Sequence, residues 1–181
     1  RELENQALIL ITKDNVRLDT NENLIKVSLK QFYGIEINDF AVSVAKTALW
    51  IAESQMFEKT KDLIYSEIDY LPIKSYANIL EGNAIRIDWN KIINKYELSY
   101  IFGNPPFLEA RKKQQHHTED MNIAFKGQKG IGDLDYVSAW YKKAAEYIAD
   151  TDIMCAFVST NSIVQGTQVA LLWENLIEDH G

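Results

Sequence analysis

The sequence predicts an α/β fold: a mostly parallel sheet with flanking helices. Three observations lead there. Short apolar runs of strand character alternate with helical patterns. Each apolar run closes on a polar or Gly/Pro turn, as buried parallel strands do. The 181 residues have ordinary globular composition, 46% hydrophobic and 25% charged, which excludes disorder and low complexity. That length favours one domain and can bury a core without disulfide or metal staples.

The elements follow in order. Residues 1–11 carry Leu3, Ala7, Leu8 and Ile11 at helical spacing and read as the body of a helix. Gln31–Ile37 reads as a strand, followed by Asn38 or Asp39 as N-cap and an amphipathic helix to about Phe57. Ala41, Val44, Ala45, Ala48, Ala52 and Met56 are expected along one face of it. Asn78–Leu80 is a short strand closing at Glu81-Gly82-Asn83. Leu98–Phe102 is another, stopped by Gly103-Asn104-Pro105-Pro106 because proline cannot extend a central ladder. A long polar loop is expected from about Leu108 to Gly132. Asp133 or Asp135 then caps a helix carrying Val137, Trp140, Ala144 and Ile148. Ile153–Ser159 is expected to be a buried strand, and Thr167–Ile177 the last helix.

In open α/β sheets ligands collect at the carboxyl ends of the strands. Here those ends carry Glu36, Asn83 and Asn104-Pro105-Pro106-Phe107, and that coincidence points to an enzyme. Glu36 can accept hydrogen bonds from ribose hydroxyls; equally, it suits a helix start as a solvated charge. The tetrapeptide is the strongest signal. Two prolines fix φ at consecutive positions, so the loop is stiff before a ligand arrives. Asn104 and the Pro105 carbonyl offer acceptors, and Phe107 offers a planar apolar face. An amino group conjugated to an aromatic ring fits this set.

Nineteen basic against twenty-six acidic residues give −7, the wrong sign for a protein that grips nucleic acid over its whole surface. The Leu108–Gly132 segment is different. It holds five basic residues (Arg111, Lys112, Lys113, Lys126 and Lys129) against three acidic ones, net +2, leaving −9 for the rest of the chain. Such a segment can meet phosphates or simply be solvated. His116-His117 with Glu119 and Asp120 lacks a tetrahedral ligand spacing, so no metal site is expected. Gly127, Gly130 and Gly132 follow no strand and lack a Lys-Ser/Thr ending, unlike a phosphate loop. Cys155 and the four tryptophans read as packing. The single cysteine fits a reduced setting, and the longest apolar run, Ile153–Val158, is far short of a membrane span. A soluble cytoplasmic protein is expected. Arg1 in place of an initiator Met suggests a processed or excised chain.

With these residues in place, the chain resembles the class I S-adenosylmethionine-dependent N6-adenine DNA methyltransferases. Asn-Pro-Pro-Phe at 104–107 is similar to that family's amino-methylating motif. The order of segments also matches: Tyr33-Gly34-Ile35-Glu36-Ile37, Glu81-Gly82-Asn83-Ala84, the tetrapeptide, then Asp133-Leu134-Asp135-Tyr136. Ala156 to Ile163, running on through Gln165–Val169, most resembles the MmeI-like branch of large bifunctional type IIG restriction–modification proteins. The resemblance covers about Gln31 to Trp173. The tetrapeptide is shared with glutamine and ribosomal guanine-N2 methyltransferases, which stand as the alternative within enzymes. A non-catalytic α/β scaffold is the alternative outside them.

The resemblance implies a Rossmann-like class I methyltransferase fold, bacterial cytoplasmic location, S-adenosylmethionine as cofactor and double-stranded DNA with a flipped target adenine as partner. It implies that Glu36 holds the cofactor ribose, Ile37 lines its adenine and Asn83, where the family often has Asp, binds the adenine amino group. Asn104 and Pro105 would grip the target amino group, Pro106 would stiffen the motif and Phe107 would stack on the flipped base. The family's glycine-rich cofactor loop, closing strands and target-recognition domain have no counterpart in the 181 residues. Residues 1–181 are therefore expected to be a partial methyltransferase domain, inactive alone, with weak or no cofactor binding and self-association through exposed strand edges.

Overall fold

The computed structural model describes residues 1–13, 25–61, 77–174 and 176–177. The chain divides into two units, Arg1–Gly82 and Asn83–Gly181. Among the described residues each unit holds one two-stranded parallel sheet. The α/β class is as the sequence predicts, and both ladders among the described residues are parallel.

The first unit contains α1 (Glu2–Lys13), β1 (Tyr33–Glu36), α2 (Asp39–Lys61) and β2 (Asn78–Glu81). β1 pairs with β2 from Tyr33 opposite Asn78 to Glu36 opposite Glu81. Parallel neighbours need a crossover connection, and α2 lies in it. Asn38 is the cap of α2: its Oδ1 accepts the Ala41 N–H at 3.1 Å and its carbonyl accepts the Val42 N–H at 2.9 Å. Asp39, in the first turn, adds negative charge at the positive end of the helix. The helix runs past Phe57 to Lys61.

Both helices of this unit turn a different face inward from the one their apolar spacing suggests. In α2, Val42, Phe57 and Thr60 are buried, while Val44 is 50% exposed and Ala48 and Ala52 are also exposed. Apolar residues occur on both faces of α2, so period alone could not choose between them. In α1, Leu8 is buried but Leu3 is 79% exposed. Polar residues fill the seam instead. The buried Thr60 hydroxyl lies 2.7 Å from Asn5 Oδ1, and Arg1 pairs with Glu4 at 3.0 Å. Burial would push the Glu4 carboxyl up, but the Lys26 and Val27 N–H groups and Arg1 hold it below its ordinary value.

The second unit contains β3 (Tyr100–Gly103), α3 (Gln115–Ala124), α4 (Ser138–Ile148), β4 (Met154–Phe157) and a short α5 (Thr167–Val169) that widens into a π turn over Ala170–Glu174. β3 and β4 pair from Tyr100 opposite Met154 to Gly103 opposite Phe157. The core gathers Ile85, Met121, Leu134, Val137, Ile163 and Leu172. A continuous last helix over Thr167–Ile177 is not what forms; the π turn replaces its middle, and Asn175 lies outside the described residues.

Two further expectations are corrected here. The Leu108–Gly132 segment is not a plain loop, because it contains α3. Met121, Ala124 and Phe125 are buried at helical spacing, and His117 Nδ1 accepts the Gln114 N–H at 3.0 Å at the start of the helix. A polar sequence with Gln and His at the cap concealed it. β4 is also only half-buried. Met154 is 61% exposed, Ala156 is exposed too, and Phe157 packs edge-on to Tyr141 with ring centres 5.5 Å apart. A strand apolar on both faces reads as fully buried whether or not both faces are covered.

Leu134 is fully buried at the centre of the second core. Leu134→Ala is expected to cost about 2–5 kcal/mol of stability through a cavity that the surrounding helices cannot fill. Urea denaturation, with an unchanged m-value, checks it.

Candidate active site

β3 delivers the tetrapeptide. The Gly103 carbonyl accepts the Val158 N–H at 3.0 Å, the last bond between the β3 and β4 sides. Asn104 then leaves the sheet exposed, Pro105 is buried and Phe107 is 45% exposed. Among the described residues, neither the Asn104 side chain nor the Pro105 carbonyl has a hydrogen-bond partner. The loop thus presents two uncommitted acceptors and an accessible aromatic face, fixed at one end by the ladder and stiffened by two prolines.

The other end is tied down by Leu108. Its N–H donates to Asp135 Oδ1 at 3.1 Å, and its carbonyl accepts the Tyr136 N–H at 3.0 Å. Its side chain packs against the core. Phe107, Leu108, Asp135, Thr160, Glu109 and Lys112 line a cleft beside the tetrapeptide.

Asn83, the first residue of this unit, is held from two sides. Its Oδ1 accepts the Ile85 N–H at 2.9 Å and its Nδ2 donates to Asp120 Oδ2 at 2.9 Å. Asp120 is buried, yet its carboxylate also receives Arg86 Nε at 2.5 Å and the Tyr136 hydroxyl at 2.6 Å. Burial would raise the Asp120 carboxyl; the donors from Tyr136, Arg86 and Asn83 outweigh it and hold the group below its ordinary value. The same contact and the same burial push the Tyr136 hydroxyl up.

Glu36 and Ile37 lie in the first unit at the end of β1. Glu36 is half-buried, and its Oε1 accepts the Ile37 N–H at 2.9 Å. Its Oε2 has no partner among the described residues. Ile37 is 69% exposed. These two residues and the five of the second unit all stand at strand ends, distributed over both units.

The basic segment is less free than its composition suggests. Lys113 Nζ donates to the carbonyls of Gly132 at 2.9 Å and Leu134 at 2.8 Å, and its burial lowers its pKa. Lys112 pairs with Glu109 and Lys126 with Glu146. Arg111 and Lys129 have no partner among the described residues. Asp120, once grouped with His116, His117 and Glu119, has its oxygens filled by protein donors. Burial raises the Cys155 thiol to about 11, which leaves it a poor nucleophile.

From the sequence, Asp120 stands only beside His116, His117 and Glu119 in a grouping not expected to bind metal, and Asp135 is one of two expected helix caps within Asp133-Leu134-Asp135-Tyr136; neither placement points to a buried, donor-filled carboxylate. Neither Asp133 nor Asp135 is the cap: Val137 stands at the N-cap of α4 with no side-chain cap bond, and Asp135 instead accepts the Ser138 N–H at 3.0 Å through its main-chain carbonyl. The available signal was an acidic residue next to buried apolar neighbours in Leu134-Asp135-Tyr136-Val137, because a buried carboxylate needs donors nearby.

Comparison with known proteins adds to this geometry. A family model described as the DNA-methyltransferase domain of MmeI matches residues 1–181. DNA methyltransferase A of Bacillus subtilis (strain 168) is 44% identical over 155 residues, covering 84% of this chain and 18% of that protein. A solved structure of the type IIL restriction–modification enzyme MmeI in complex with DNA superposes with a TM-score of 0.88 at 41% identity. It covers 97% of this chain and 24% of that one. The chain therefore spans about a fifth to a quarter of the length of these relatives.

The Asp120 network has a signed pH consequence. The folded carboxyl sits below its unfolded value, so its stabilisation is present above that unfolded value, about 3.9, and is lost as pH falls through the folded one. Asp120→Asn is expected to cost about 1–3 kcal/mol at neutral pH, with a smaller difference from wild type in acid. Urea denaturation of both proteins at neutral pH and near pH 3 checks it.

Proposed function

Because this chain belongs to the MmeI DNA-methyltransferase domain family, we propose that its site transfers a methyl group from S-adenosylmethionine to the N6 amino group of adenine in duplex DNA. The observation that carries this reading is the pair of uncommitted acceptors, Asn104 Oδ1 and the Pro105 carbonyl, beside an exposed Phe107 on a loop held at both ends. An exocyclic amino group has two hydrogens to give and a ring to stack, and this set suits both. Phe107 would stack on an adenine turned out of the helix.

When bound, S-adenosylmethionine supplies an electrophilic sulfonium methyl group. The chain's part begins with the residues that suit it. Glu36 keeps one carboxylate oxygen for a ribose hydroxyl, and Ile37 offers an exposed apolar surface for adenine. Asn83 spends its amide donor on Asp120, but Oδ1 retains a lone pair for the cofactor's amino group. The adenine amino nitrogen is a poor nucleophile because its lone pair is delocalised into the ring. Asn104 and Pro105, by accepting hydrogen bonds from its two N–H groups, favour a tetrahedral nitrogen and free that lone pair for in-line attack. The new N–C bond would form as the methyl–sulfur bond breaks to leave a neutral thioether, and the methylated nitrogen would then release one proton to solvent. Orientation supplies much of the remainder. No strong general base is required.

The 181 residues are read as part of a methyltransferase domain within a longer bacterial restriction–modification protein. Their sequence holds no glycine-rich strand-end cofactor loop, so S-adenosylmethionine is expected to bind them weakly and no methylation is expected from them alone. Each two-stranded sheet has outer edges without a ladder partner among the described residues, which supports self-association of the isolated chain. No described helix is long and apolar enough to cross a membrane.

The full-length protein, incubated with radiolabelled S-adenosylmethionine and duplex DNA, is expected to yield N6-methyladenine on nucleoside chromatography. Asn104→Ala is expected to lower the rate by about 10²-fold or more, and Phe107→Ala to raise KM for DNA. Label recovered in RNA or in a protein glutamine instead of DNA would refute the substrate assignment.

A further inference from the structure

We propose that Asp135 is the positioning residue for the tetrapeptide: a buried carboxylate that holds the far end of the loop in the geometry needed for transfer. This rests on the reading of Asn104–Phe107 as the methyl-transfer loop. Asp135 is 1% exposed, and each of its oxygens has protein partners. Oδ1 accepts the N–H groups of Leu108 at 3.1 Å and Val137 at 3.4 Å. Oδ2 lies 3.1 Å from the Thr160 hydroxyl and 3.2 Å from the Ser162 hydroxyl, which are 2.5 Å from each other, so the pair shares its two protons between that contact and the carboxylate. Its own N–H donates to Gln168 Oε1 at 3.0 Å.

These contacts come from three directions: the tetrapeptide loop, the turn after β4 and the start of α5. The carboxylate therefore ties Leu108 to the same framework that carries the β3–β4 ladder. Gly103 is fixed to that framework through Val158 and Leu108 through Asp135 and Tyr136, so residues 104–107 are strung between two anchored ends. Asp135 is buried and held by protein donors, so it is not placed to touch a substrate, which separates it from a catalytic group. Tyr136 extends the tie, since its hydroxyl meets Asp120, which in turn holds Asn83. One turn thus fixes the loop proposed for the target base and the residue proposed for the cofactor.

The test uses the full-length protein with Asp135→Ala and Asp135→Asn. Asparagine can keep the Leu108 and Val137 bonds through Oδ1 and can donate to a hydroxyl oxygen through Nδ2. Asp135→Ala is expected to lower kcat by about 10- to 100-fold with KM for S-adenosylmethionine within about threefold of wild type. It should also accelerate hydrogen exchange at the Leu108 amide, and Asp135→Asn should recover most of both. Wild-type kcat in the alanine variant, or equal losses in the two variants, would overturn the proposal. So would unchanged Leu108 exchange in Asp135→Ala, whether or not the protein methylates DNA. A wild-type protein that transfers no methyl group would instead refute the proposed function, and the exchange measurement would still decide the anchoring. If Asp135→Ala does not fold, Thr160→Val decides: a roughly threefold fall in kcat with faster Leu108 exchange supports the proposal, and wild-type values for both overturn it.

Discussion

A carboxylate taken out of water must have its oxygens filled by donors, or it will not stay charged and buried. That constraint organises the second unit. Asp120 and Asp135 are both buried, and the donors they recruit come from parts of the chain far apart in sequence: Asn83 and Arg86 for one, Leu108, Thr160 and Ser162 for the other. Apolar packing around Leu134, Val137 and Leu172 supplies most of the cohesion but has little direction. The two aspartates supply direction, because a hydrogen bond that is misplaced by an ångström is lost. Loop ends that would otherwise drift are brought to defined places.

Much of the fold was legible because strands in this chain announce themselves. Tyr33–Glu36, Asn78–Glu81, Tyr100–Gly103 and Met154–Phe157 all lie within or one residue beyond their expected ranges, since each sits in a short run with apolar residues that closes on a polar or Gly/Pro turn. Helix existence was equally plain for α1, α2 and α4. What the pattern could not give was the inward face. α2 carries apolar residues nearly all round, and α1 packs through Asn5, Arg1 and Glu4, so tertiary contacts chose the face. α3 was invisible because its buried positions are few and one of them is Asp120.

The site divides along the same line. Asn104, Pro105 and Phe107 could be found from the sequence because two adjacent prolines after an apolar strand constrain the backbone by themselves. Asp120 and Asp135 could not, since their roles depend on partners tens of residues away, and a single sequence shows no pairings. Gly130 is a related case. Its φ of +86° and the 3.0 Å approach of Leu171 to the place a Cβ would occupy explain a glycine for which the sequence excluded only a phosphate loop.

Lys113 has a consequence that reaches beyond the fold. It spends its charge on main-chain carbonyls, and Lys112 and Lys126 spend theirs on carboxylates, which leaves Arg111 and Lys129 as the uncommitted cations of a segment with five. Each phosphate neutralised by a protein cation releases close to one condensed counterion. A duplex reaching this segment would therefore release about two ions through it rather than five, and added salt would weaken that contact correspondingly less.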